Sequence, residues 1–458
     1  GLYEKKTRKE VIDTLNYFGL SKHIKIESKV TRSYLDRAYF ISKDIKNTFD
    51  IINLKLPYDF PGQVLYDSIL KAEMVGTIEI NIKKICKYVA KLISYLEEYE
   101  KKIDWGSISA LILSHPVHFR FSSLTHQALR RGIPVYIMNY VNESISLRKL
   151  ESVHDWTNGC YEKPDFAVIE GLSENNKNYL ERIGRQYLND VRGAKRGEIL
   201  TINAFKENKK EKFDKDQFLL NYGLDIKKPT AVIMTNCWPD FPNLFPSDWY
   251  ADYVEWLQKT LEIITKVENS NWIIKAHPAE FKYGSKTKMV HFLKNVNNKN
   301  IIPWPEVLSS DKLLQIADVD VTSHGSAGIE YPALGKPSIC TKKTHYSNWG
   351  FTNYCVDYAE YKYLLENIQM IKKPDKNEQK LAYIYIASFF CNASLTSGDY
   401  LFGMGSLSNK LWPTIENFIK KNNQGIKKEQ LMMNKWLDSE IQSYNFFKSI
   451  NYEFWENF

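Results

Sequence analysis

Short apolar runs alternate with amphipathic stretches in two separate blocks of the chain, the pattern of parallel-sheet α/β units. In the first block "ISALILSH" (108–115) predicts a buried strand and "LTHQALRRG" a helix capped by Ser122 or Ser123 and ended by Gly132. "IPVYIMN" then predicts the next strand and "DFAVIEG" (165–171) another. Residues 79–103 predict a long helix with Ile and Leu on one side and Lys and Glu on the other. The second block opens with the β-branched run "PTAVIMTN" (229–236) and the loop "CWPDFPNLFP". A helix follows whose Tyr250, Val254, Leu257, Leu261 and Ile264 share one face. After it come a strand with its exit loop, "NWIIKAHP", a short helix, "DKLLQIA", and a strand, "DVDVTS", whose acids are expected to flank the sheet. The bend "HGSAG" leads into a helix, and "PSICT" closes the block as a strand.

Residues 205–217, "FKENKKEKFDKDQ", are charged and nearly free of apolar side chains, which predicts a solvated connector. The expected organisation is an N-terminal domain over 1–215, a second over 216–400 and a helical segment over 401–458. That last segment is rich in aromatics (Trp412, Trp436, Phe446, Phe447, Tyr452, Phe454, Trp455). Packing across both domains is one role for it; lying on a membrane surface is the other.

Composition narrows the class. With 458 residues, 43% hydrophobic and 25% charged, the chain is long enough for two well-buried globular cores. No stretch approaches the ~20 apolar residues of a membrane span, and no signal segment opens the sequence, which begins at Gly1. Six cysteines (86, 160, 237, 340, 355, 391) show no CxxC pair and no metal-like spacing. Their scatter argues against zinc and disulfides and for a reducing, cytoplasmic setting, in which the sequon Asn392-Ala393-Ser394 carries no meaning. The net charge of +8 is spread along the chain rather than gathered in one patch, so a nucleic-acid partner is not expected. Solvated surface lysines, an anionic small substrate or an anionic membrane surface each fit such an excess.

Three strand exits of the second block carry candidate chemistry. In "VTSHGSAGIE" small residues admit a phosphate to the backbone N–H groups at a helix start, Ser323 and Ser326 add hydroxyls, and Glu330 can accept from ribose hydroxyls. The same glycines also suit plain helix-on-strand packing. In "KAHP", His277 offers a donor, Lys275 a cation and Pro278 a stiff turn. In "TNCWPDFPN", Asp240 suits a nucleophile or base at a strand exit, or equally an Asx turn. In the first block His115, His118 and Arg120 end a strand, and Asp67 beside Tyr66 is a further acceptor-side candidate.

Together "KAHP", "TSHGSAGIEYPALGKPSI" and "HYSNWGFT" resemble the bacterial capsular-polysaccharide synthesis family that includes the Kdo transferases. The matching positions are His277-Pro278, Ser323 to Ser326 with Gly328 and Glu330, Gly335-Lys336-Pro337, and Tyr346, Trp349, Gly350 and Thr352. "VLYDSIL", "GTI" and "LILSHPVHFRFSSLTHQALRRGIPVY" are similar to the acceptor half, so the resemblance spans roughly residues 60–355. It implies an α/β GT-B fold: two Rossmann-like domains facing a cleft, with C-terminal helices. The implied reaction moves a sugar, Kdo from CMP-Kdo, to a glycan or glycolipid acceptor for capsule or lipopolysaccharide, without a metal or other cofactor. Lys275, His277, Pro278, Ser323, His324, Gly325, Ser326, Gly328 and Glu330 would hold the donor nucleotide, with His277 also catalytic and Asp240 as nucleophile or base. Location at the inner face of the cytoplasmic membrane, beside other assembly enzymes, follows from the same resemblance.

Rival readings are a transferase of this fold using another nucleotide sugar or a CDP-polyol, and a non-catalytic carbohydrate-binding protein. A serine hydrolase built on the "HGSAG" elbow would need an acid and then a His downstream, and the order of His345 and Asp357 is reversed.

Overall fold

The computed structural model describes residues 24, 26–141, 144–159, 164–196, 199–206, 213–245, 247–282, 284–294, 296–391, 423–441 and 443–444. The Trp412, Phe446, Phe447, Tyr452, Phe454 and Trp455 aromatics and the Asn392 sequon lie outside these residues.

Two sheets organise the molecule. The first begins with β1 (Leu111–Leu113) parallel to β2 (Val135–Val141), which turns back antiparallel into β3 (Ser144–Leu150). The second holds β4 (Thr230–Met234), β5 (Asn271–Lys275), β6 (Ile301–Pro303), β7 (Val319–Thr322), β8 (Ser338–Cys340) and β9 (Asn353–Tyr354). All its pairings are parallel, in the spatial order β6-β5-β4-β7-β8-β9. Counted within this sheet the order is 3-2-1-4-5-6, that of the doubly wound dinucleotide-binding fold. The molecule is therefore of α/β class. β10 (Ser443–Tyr444) returns antiparallel to the first sheet beside β3. That sheet is mixed, with one parallel pair, and so only partly follows the Rossmann-like expectation.

The central strands of the second sheet form because their residues are buried on both faces, as continuous β-branched and aliphatic runs demand in parallel sheets. Asp320 corrects the sequence reading of "DVDV": it is fully buried within β7, accepts a hydrogen bond from Ser338 Oγ at 2.7 Å, and burial pushes its carboxyl up to about 8.

Packing joins helices from both sides of residue 215 in one core. Val168, Ile169, Leu180, Leu188 and Val191 join Ile384 and Ile386 in the core of the second unit, while the first core runs from Ala38 to Trp156. The helix Glu174–Arg192 lies against Lys376–Phe390 so closely that a Cβ on Gly184 would stand 2.0 Å from the Tyr383 carbonyl oxygen. "DFAVIEG" is a helix, Phe166–Glu170, rather than a strand, because Asp165 caps it by accepting from Ala167 N–H at 3.0 Å. The helix expected to start after Ser122 or Ser123 begins at His118; both serines sit inside it and bond back to the Phe119 carbonyl. In the tail, the helix Asn423–Leu437 packs Trp436 against Tyr136 of β2, and Ile441 touches both the first sheet's satellite cluster and the second core.

The loop after β4 plugs one unit into the other. Phe241 is buried in the first unit's core, Asn243 donates from its backbone and its amide to Asp67 at 2.8 Å each, and Tyr66 donates to Asp252 at 2.5 Å. Thr287 and Lys286 bond to Gly76 and Met74 along the same boundary. Of the aromatics in "CWPDFPNLF", Phe241 packs into the first unit, whereas Trp238 is buried in the second and Phe245 lies against His324 and His345.

Candidate active site at the sheet switch point

In open α/β sheets ligands sit outside the carboxyl ends of the strands where the strand order reverses. Here that point lies between β4 and β7, and their exits carry Asn236 to Asp240 and Ser323 to Ser326. The exit of β5, with Lys275 to Pro278, flanks β4 on the other side.

A hydrogen-bond chain ties the β4 and β5 exits. The Thr235 hydroxyl and backbone N–H both donate to the Lys275 carbonyl at 3.1 Å, and His277 N–H donates to Thr235 Oγ1 at 3.1 Å. The backbone N–H of Ala279 donates to His277 Nδ1 at 3.1 Å. With Nδ1 accepting, the neutral ring carries its proton on Nε2. Burial first, then the Lys275 charge, pulls the imidazole down to about 4, so His277 is a neutral hydrogen-bond donor at pH 7. The Lys275 ammonium, unlike its carbonyl, has no hydrogen-bond or ion-pair partner among the described residues. Burial lowers it to about 8 against the opposing charges of Glu330 and Glu306, and it remains mainly cationic at neutral pH.

Asp240 is exposed, and Lys71 of the helix Gly62–Glu73 reaches across from the first unit to place Nζ 3.0 Å from its Oδ1. His118 faces the same acid: its ring meets Phe241 edge-on at 4.9 Å, and burial followed by Lys71 lowers its pKa while Asp240 opposes. Both His118 (φ 67) and Phe241 (φ 50) hold left-handed backbone, a strain that persists where surrounding packing over-determines it. Cys237, beside Asp240, is no nucleophile, since burial and that acid push its thiol up to about 12.

The β7 exit divides into inward and outward halves. Ser323 is fully buried with its oxygen 3.0 Å from Tyr250 Oη, and Gly325 spends its N–H on Thr322 Oγ1 at 3.1 Å. A Cβ on Gly328 would stand 2.4 Å from Tyr346 Oη. Ser323, Gly325 and Gly328 are thus engaged in building the turn. The helix that follows is Ala327–Ala333, seven residues with Pro332 inside, and carries less dipole than a long helix would. Ser326 is exposed and hydrogen-bonded to Glu330, whereas His324 is half-buried, stacked on Tyr253 with ring centroids 5.5 Å apart and flanked by Phe245. Burial raises Glu330; burial, then Lys342, His345 and His277, holds His324 down to about 3. No histidine bonds Ser326 among the described residues, so the hydrolase geometry is not formed there.

The downstream motif supports this loop. Tyr346 donates to the Gly325 carbonyl at 2.8 Å and Thr352 to that of Gly328, while Trp349 is buried beside them. Lys336 instead caps another helix, donating to the carbonyls of Leu314 and Ala317.

The candidates thus separate. Asp240, Lys275, His277, Pro278, His324, Ser326 and Glu330 share the strand exits, and His118 faces them from the other unit. His115 is exposed and close enough to act on His118. Arg120 is exposed with its guanidinium 5.9 Å from the Phe121 ring centre. Asp67 is buried and bound to Asn243 across the boundary between the units, and burial raises its pKa. Sequence reasoning missed Lys71, Tyr253 and Lys342. Lys71 lies one turn beyond Asp67 in "YDSILK", but its partner is fixed only by the inter-unit packing. Among the described residues no cluster of three or more His, Cys, Asp or Glu is placed to hold a metal ion, and no helix is long and apolar enough to cross a membrane.

No protein-family model and no curated protein matches the chain. Solved structures similar to it include the beta Kdo 2,4 transferase of Thermosulfurimonas dismutans KpsC, at 15% identity and TM-score 0.36, covering 60% of this chain and 79% of that one. The beta Kdo 2,7 transferase of the same KpsC is similar at 16% identity and TM-score 0.31, covering 55% and 68%. The UDP-GlcNAc 2-epimerase of Methanocaldococcus jannaschii, solved with UDP-GlcNAc and UDP, is similar at 14% identity and TM-score 0.30, covering 82% and 93%.

Proposed function

We propose that this chain is a glycosyltransferase of bacterial surface polysaccharide that takes its sugar from a nucleotide donor, with CMP-Kdo the first candidate. The observation carrying the reading is the exposed Asp240 at the switch point of a 3-2-1-4-5-6 parallel sheet, held by a lysine from the facing unit. Lys275 supplies a cation to the donor's phosphate and His277 a neutral Nε2–H; preorganised donors of this kind stabilise charge developing on a departing phosphate. Glu330, one turn along the helix that follows, is suited to accept from ribose hydroxyls. Asp240 would attack the anomeric carbon in a double displacement, or take the acceptor's proton in a single one. The acceptor glycan would enter past His115 and His118.

Thermal-shift titration with CMP, UDP, GDP and CDP tests the reading. CMP is expected to give the largest stabilisation, ~2.7 kcal/mol at a hundred times its Kd. Preference for UDP or GDP would replace the Kdo donor by another sugar, preference for CDP would favour a polyol-phosphate donor, and no shift with any of the four would sink the transferase reading.

A further inference from the structure

Among the described residues, the side-chain atoms that are buried without a hydrogen-bond partner are scattered over helices and strands, with one exception in a loop: Asn236 Oδ1. Asn236 is only 8% exposed, and its Oδ1 has no hydrogen-bond partner among the described residues. Leaving such an acceptor unmatched costs stability, and a fold has no packing reason to place an amide there.

Its position is what gives the orphan a meaning. Met234 of β4 pairs with Lys275 of β5 on one side and with Thr322 of β7 on the other. Continuing the β4–β5 register two residues past the strand ends sets Asn236 beside His277, while on the other side of β4 the β7 exit turns at Thr322 to Gly325 with His324 inside the turn. The hydrogen bond from His277 N–H to Thr235 Oγ1 shows that the β4–β5 alignment does continue past the strands. His277 and His324 are also near enough to act on one another electrostatically. Lys275 and His277 offer donors at this edge, and donors suit an anion. A buried carbonyl oxygen is the complement they lack, since it needs a ligand O–H or N–H.

We infer that Asn236 is a substrate-contacting residue, its Oδ1 accepting a hydrogen bond from a hydroxyl or amino group of the nucleotide held between His277 and His324. This rests on the nucleotide-donor reading above and adds to it the residue that reads a neutral group of the ligand rather than its phosphate.

The experiment is calorimetric titration of CMP, UDP and GDP into the parent, Asn236→Ala and Asn236→Ser, beside the thermal midpoint of each unliganded protein. An asparagine kept for a ligand behaves differently from one kept for the fold. Alanine should leave the unliganded midpoint unchanged or raised, because it removes an unmatched buried group. The same change should weaken binding of the preferred nucleotide by roughly three- to tenfold. Serine, which retains a short acceptor, should fall between. Binding within twofold of the parent in both variants would overturn the inference and leave the transferase reading intact, as would a lowered midpoint with unchanged affinity. If the parent binds none of these three nucleotides and no CDP either, both readings fall together.

Discussion

Lys71 and Asp240 stand 169 residues apart in sequence and 3.0 Å apart in space, a cation of the first unit holding an acid of the second. Half of the Asp240 side chain is open to solvent, so the pair itself adds little to folding; exposed ion pairs are worth at most about 1 kcal/mol. What it fixes is where the carboxylate points.

Turnover should therefore respond to Asp240 far more than binding does. Asp240→Asn is expected to lower kcat by about a hundredfold or more, the range for a positioned proton-transfer or nucleophilic group, while the nucleotide Kd stays within a few fold. Lys71→Met should cut kcat by about fivefold with the thermal midpoint unchanged. Steady-state kinetics with nucleotide titration separates the two, and a kcat for Asp240→Asn equal to the parent's removes the acid from the mechanism.

The neutral imidazoles predict an acid-side loss of stability. His277 is held down to about 4 and His324 to about 3, both chiefly by burial, against 6.5 for an ordinary histidine. Between those values the unfolded chain binds protons that the fold does not. The stability from keeping the rings neutral is therefore complete above about 6.5 and drains as pH falls toward 4. His324→Gln should match the parent's pH dependence above 6.5 and show a shallower decline below it. Parallel denaturation curves at pH 7.5 and 5 decide it; an identical slope in both proteins counts against the buried neutral ring.

How much of this was readable beforehand follows from where information is local. β4, β5, β7 and β8 were legible because a strand buried on both faces writes itself as a continuous apolar run, and the exits with His277 and Asp240 followed from those strands. "DFAVIEG" reads as a strand because a four-residue apolar run looks alike in a helix and a strand, and only the Asp165 cap decides. Ser323 and Gly328 looked like ligand contacts because small polar residues serve tight packing as well as phosphate. Only the structure shows Tyr250 and Tyr346 occupying the space beside them. Lys71, Asn236 and the plugged boundary depend on register between distant segments, which no local pattern encodes.

Gly328 gives a direct check of that packing role. Alanine there must push aside Tyr346, whose hydroxyl also holds the Gly325 carbonyl. Overpacking of this kind costs about 1–3 kcal/mol, so Gly328→Ala should lower the thermal midpoint by several degrees. Pairing it with Tyr346→Phe, which deletes the clashing oxygen, should recover part of the loss. Stability equal to the parent's with nucleotide binding abolished would restore Gly328 to the ligand site.

Lys342 and Asp67 carry the boundary between the units, and their charges are mutually dependent. Lys342 is buried, donates to the Pro242 carbonyl, and lies with its ammonium 4.7 Å from the Tyr250 ring centre. Burial lowers the pKa of Lys342 and raises that of Asp67, each shift partly offset by the other's charge. Removing one member of such a set strands the other, so Lys342→Met should cost roughly 3 kcal/mol. Replacing both, with Asp67→Asn keeping an acceptor for Asn243, removes the stranded charge and should return at least half of that. The loop that carries Asp240 is anchored by the same two residues, through Pro242 and Asn243. The single change should therefore depress kcat beyond what its stability loss explains, and the double change should recover activity alongside stability. A double-mutant cycle in urea, read together with turnover, tests both halves. Additive losses would mean the two charges act independently and that the boundary is held by packing alone.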